Sequence, residues 1–143
     1  MTDAAGSGRY DRLAILRGAA YGNLLALPGA LANSALSGRD DVSDGLVALT
    51  FLVVVLGFLV AGIAAGANAP SEPARHGAIA GLVAFVPVEL IAIAGRLDRG
   101  DPVRPVGIVL LALLAACVGT AGAQIGARRR ASRSVATSPP EGS

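Results

Sequence analysis

Lysine and tryptophan are absent from this chain, cysteine and histidine occur once each, and aromatic residues make up only 3% of its 143 positions. A single cysteine, Cys117, excludes an intrachain disulfide and a cysteine metal site; inside an apolar run, it is expected as a small buried core residue. The single histidine, His76, rules out an HExxH metal motif, and there is no GxSxG elbow, no phosphate loop and no carboxylate pair at helical spacing. These absences speak against an enzyme, and no cofactor or metal is expected. Charge is scarce as well. With 15% charged and 53% hydrophobic residues and a mean hydropathy of +0.62, a soluble domain would have too little polar surface to cover itself. The apolar residues must therefore face lipid.

What is present is a set of long uncharged runs. Residues 18–38, 45–71 and 105–127 each reach the roughly 20 residues that cross a bilayer as a helix, and a fourth run, 77–95, is interrupted only by Glu89. The pattern predicts an all-α membrane protein with four transmembrane helices at about 18–36, 46–67, 77–95 and 106–127, in one domain spanning 13–127. Residues 1–12 read as a disordered leader, and 128–143 as a basic and then disordered tail. The first run also looks like a secretory signal, with Ala30-Leu31-Ala32 as a small-residue cleavage site. The internal repeat requires this segment to be retained.

All twelve basic residues are arginine, which together with abundant Ala and Gly points to GC-rich codons and a bacterium. Placing both termini in the cytoplasm puts eight arginines inside (9, 12, 17, 75, 128, 129, 130 and 133) and four outside (39, 96, 99 and 104). The expected location is a bacterial plasma membrane in that orientation. Arg128, Arg129 and Arg130 can meet anionic lipid headgroups, worth roughly 1 kcal/mol each near the surface.

The chain repeats itself. Gly18-Ala19, Gly22 and Pro28 recur 59 positions later as Gly77-Ala78, Gly81 and Pro87, while Ala61-Gly62 and Gly66-Ala67 recur 60 positions later as Ala121-Gly122 and Gly126-Ala127. Two similar hairpins follow, related by a pseudo-two-fold axis along the membrane normal. Each helix carries one GxxxG pair: Gly18/Gly22, Gly62/Gly66, Gly77/Gly81 and Gly122/Gly126. Such pairs let helix backbones approach closely where lipid offers no hydrophobic drive for association. All four fall at one end of the predicted bundle, which should be tight there and wider at the other end.

With Ala61-Gly62, Ala64-Ala65-Gly66, His76-Gly77-Ala78 and Gly81-Leu82, the central hairpin resembles a family of small four-span bacterial membrane proteins of uncharacterised function. The resemblance implies a four-helix membrane protein and carries no activity across.

Glu89 is the one chemically suggestive residue. About nine larger apolar residues of its helix contribute roughly −3 to −5 kcal/mol to insertion, against about +2.5 to +3.5 for a central charge, so this segment is marginal alone. A carboxyl at that depth either marks an ion or substrate path or is satisfied within the bundle, for example by snorkelling toward Arg96. Asn33, Ser34 and Thr50 reach similar depth and are its expected partners. A lone intramembrane Glu invites comparison with small four-span proton-coupled exporters, but those carry it in the first helix and rely on aromatic residues. The expected role is a structural or interaction subunit, with a small pore or proton-linked transporter using Glu89 as the alternative. Expected partners are the lipid bilayer and a second copy or a larger membrane complex, not nucleic acid.

Overall fold

A computed structural model describes residues 11–69 and 71–136. It contains four α-helices: α1 (Arg12–Leu36), α2 (Asp44–Asn68), α3 (Pro73–Asp98) and α4 (Pro105–Ala136). No strand occurs among the described residues.

Local chemistry sets where the helices begin. Asp11 caps α1, its Oδ1 accepting from the backbone N–H of Leu13 at 3.0 Å and of Ala14 at 3.1 Å, two of the donors that a helix start leaves unpaired. At the start of α3, Pro73 supplies a preset φ where its missing N–H costs nothing. The loop before α3 is consequently shorter than the sequence suggests, with Glu72 turning the chain at a positive φ of 46°. Helix α4 continues to Ala136 rather than stopping at Arg128, because Arg, Ala and Ser sustain it and the next proline is Pro139. Residues 1–10, Pro70 and 137–143 of the expected leader, loop and tail lie outside the described residues.

Among the described residues, three helices are long and apolar enough to cross a membrane: α2, α3, and α4 over Pro105–Arg133. The sequence reading expected four. Helix α1 has the length, at 25 residues, but Arg17, Asn23, Asn33 and Ser34 leave no stretch of it as apolar as the best stretch of each of the other three.

In the bundle α2 and α3 each touch all three other helices, while α1 and α4 do not meet. A strict two-fold relating the hairpins would make the α2–α3 and α1–α4 distances equal, so the contacts do not display it. Of the three spans, α3 is innermost: 39% of its apolar window is buried, against 28% for α2 and 22% for α4. That placement is what a helix carrying a carboxyl needs, since lipid would leave it unpaired.

The core is built largely from alanine and glycine, and among the described residues Phe58 is the largest fully buried side chain. At one end, here the glycine end, backbone lies on backbone. A Cβ built on Gly62 would collide with the Gly119 carbonyl, one on Gly66 with that of Ala123, and one on Gly81 with that of Ala115. Gly77 faces Gly119 and Ala123; Gly122 and Gly126 face Leu59 and Ile63. On the α1–α2 seam, Gly18 and Gly22 would each place a Cβ 2.6 Å from an atom of Ala61. Three further close approaches between helices escaped the sequence reading, one of them at the other end, where a Cβ on Gly95 would meet Ser34 Oγ. Gly57 would put a Cβ 2.6 Å from that of Ala26, and Gly119 would meet Gly77; both belong to small-xxx-small pairs, with Ala61 and Ala123, rather than to GxxxG.

Candidate functional site

The other end of the bundle is open, and the candidate residues gather there. Glu89 lies on α3 about 14 Å before its C-terminus at 1.5 Å per residue, and is 5% exposed. Its Oε1 accepts from Arg96 Nη1 at 3.3 Å, two turns further along the same face. Its Oε2 is buried and has no hydrogen-bond partner. Arg96 is itself one-third exposed, so the pair runs from a dry carboxyl outward to a wetter guanidinium.

Asn33, Ser34 and Thr50 are brought together, but not around Glu89. Asn33 Nδ2 donates to Thr50 Oγ1 and to the Val47 carbonyl, both at 2.9 Å, and Thr50 Oγ1 donates to the same carbonyl at 2.8 Å. This cluster pins α1 to α2. Ser34 instead joins α1 to α3: its carbonyl accepts from Arg99 Nη1 at 2.9 Å. The same guanidinium reaches Asp101 through Nε at 3.0 Å, tying the α3–α4 loop to the end of α1. The spacing of residues along single helices gives depth only; which helix pairs with which decides the partners, and α1 offers its amide to α2.

Between these groups is a cavity of about 190 Å³. Asn33, Ser34, Ser37, Arg96 and Arg99 supply its polar wall, and Phe51, Val54, Val88 and Leu111 its apolar one. Around it valine, leucine and phenylalanine take the place of the glycines as the larger lining side chains.

At the glycine end His76 is buried and both its ring nitrogens are engaged. Nε2 accepts from the backbone N–H of Asp11 at 3.1 Å, and Nδ1 lies 3.1 Å from the Glu72 carbonyl. It fastens the start of α3 to the start of α1. Arg128 and Arg129 stand exposed on the last turns of α4, while Arg130 Nη1 donates to the Ala69 carbonyl at 2.8 Å and so latches α4 to the end of α2. Cys117 is exposed, not in the core. The buried positions of α4 are 115, 119, 122, 123 and 126, and residue 117, at 100° per residue, points away from that stripe.

No protein-family model matches this chain, and no curated protein or solved structure matches it.

Proposed function

We propose that this chain is an integral membrane protein acting as a structural or interaction subunit, in a bacterial plasma membrane with both termini and the loop after α2 in the cytoplasm. The observation that carries the reading is closure of the glycine end. Backbone contacts at Gly62–Gly119, Gly66–Ala123 and Gly81–Ala115 leave no room there for a water file or a solute. The polar residues Asn33 and Thr50 at the open end serve as interhelical ties, the usual role of Asn and Thr among membrane helices.

Helix α1 is the fourth span in this proposal. It runs antiparallel to α2 over their shared length, from Gly18 against Ala61 to Asn33 against Val47, so an α2 that crosses the bilayer carries α1 across with it. Its outward face is apolar, with Leu13, Leu16, Leu24 and Leu31 all more than half exposed. The excess of arginine at the glycine end supports the orientation. This layout agrees with the resemblance to small four-span bacterial proteins, and a homo-oligomer or larger complex supplies the partner.

One observation favours a second reading, a proton-linked carrier: the unpartnered Oε2 of Glu89 is where a proton would sit. Proteoliposome proton flux separates the two. A subunit gives the same background flux for wild type and Glu89→Gln, whereas flux in wild type that Glu89→Gln abolishes replaces the proposal with the carrier.

A further inference from the structure

Three cavities meet at Arg96. One is the 190 Å³ cavity already described. The second, about 330 Å³, is a polar mouth formed by Arg96, Arg99 and Arg104 with Asp101, Pro102 and Gly107. The third, about 300 Å³, is an apolar groove between α2 and α4, walled by Phe51, Leu110, Leu111 and Leu114. Gly107 lines both mouth and groove, and nothing lies within 4 Å of where its Cβ would be, so the two are continuous across the first turn of α4.

We propose that this mouth and groove form a binding site for an anionic phospholipid, its phosphate at Arg96, Arg99 and Arg104 and one acyl chain along Phe51, Leu110 and Leu114. Charge complementarity supports the head. Each guanidinium has five N–H donors; Arg96 commits one to Glu89, and Arg99 one to Asp101 and one to Ser34. Arg104 has no carboxylate partner among the described residues. Three cations therefore face the mouth against Asp101 and the buried Glu89, with Asp98 exposed on the last turn of α3. Arginine forks suit phosphate oxygens in pairs. Geometry supports the chain: Leu110 is 62% and Phe51 41% exposed, so the groove opens sideways, where an acyl chain enters from the bilayer and a soluble anion gains nothing. Glu89 then has a role that needs no transport, holding Arg96 upright between mouth and groove.

The inference rests on the chain's lying in a bilayer. Flotation of the full-length protein with phosphatidylcholine vesicles tests that first; a protein that floats but shows no lipid preference counts against the site alone. Spin-labelled phosphatidylglycerol is then compared with spin-labelled phosphatidylcholine for its motionally restricted fraction. Wild type should prefer phosphatidylglycerol, and Arg104→Gln should lower the preference about 5-fold, the loss that one arginine near the headgroups represents. Gly107→Leu, whose Cβ meets nothing within 4 Å, should abolish the preference by plugging the junction. Arg39→Gln, in the α1–α2 loop at the same end, paired with Asp41 and lining neither mouth nor groove, should leave the preference unchanged. The proposal is overturned if Arg39→Gln abolishes the preference, if Arg104→Gln and Gly107→Leu leave it intact, or if inorganic phosphate or laurate displaces the labelled lipid as well as short-chain phosphatidylglycerol does.

Discussion

The two ends of this bundle are made by the same four helices and behave as different materials. At the glycine end, Gly18, Gly22 and Ala26 of α1 meet Gly57, Ala61 and Ala65 of α2, so nothing larger than an alanine methyl stands between the backbones. At the open end, valine, leucine and phenylalanine hold the helices apart, and asparagine, serine and arginine bridge the gap. Side-chain size along each helix thus sets where the bundle is shut. In lipid this matters more than in water, because apolar surface gains nothing by leaving a hydrocarbon solvent and packing carries the association.

The largest effect should come from filling the shut end. Gly62→Leu or Gly119→Leu forces carbonyl and side chain into one volume and should destabilise the bundle by about 3 kcal/mol or more, read as unfolding of the purified protein in detergent. Gly57→Leu belongs with them, since its Cβ would meet Ala26 and the Gly22 carbonyl. Gly45→Ala, in open space at the start of α2, should instead be neutral or stabilise by up to about 1 kcal/mol. Equal tolerance at Gly62 and Gly45 would erase the distinction between the ends.

At the open end, removing one member of the buried ion pair comes next. Arg96→Gln leaves Glu89 buried without its cation and should cost about 2 kcal/mol, below the roughly 3–5 of a fully dry pair because Arg96 is one-third exposed. Adding Glu89→Gln to Arg96→Gln should restore most of that loss. Failure of the double variant to recover would mean that Arg96 stabilises through packing.

The smallest effect belongs to the α1–α2 tie. Asn33→Ala removes the bonds to Thr50 and Val47 and should cost about 0.6 kcal/mol, the average for such bonds in membrane helices. A loss above about 2 kcal/mol would make this cluster, not the glycines, the principal lock.

The shut end was legible in the sequence because GxxxG is a local pattern with the period of the helix, and the eight glycines it names all face another helix. Gly57 and Gly119 were less visible, since alanine completes their pairs. The open end was less legible. Ser34 of α1 comes against Gly95, six residues beyond Glu89, so Asn33 and Thr50 lie about 9 Å further along than the carboxyl. The α1–α2 seam gives those two to each other and leaves Glu89 to Arg96 on its own helix. The burial of Cys117 and the hydropathy of α1 were misjudged for opposite reasons. An apolar run does not say which face is inside, and an uncharged run need not be apolar when it holds two asparagines.

Amide hydrogen exchange of the unmodified protein in phosphatidylcholine nanodiscs tests the contrast between the ends most directly, because it compares segments of the same helices without altering a residue. Amides of 18–26 and 77–84 should exchange at least about tenfold more slowly than those of 29–36 and 90–98, reflecting local opening confined to the cavity end. Equal protection along both helices, or faster exchange in 18–26 and 77–84, would contradict a bundle shut by its glycines and open beside Arg96.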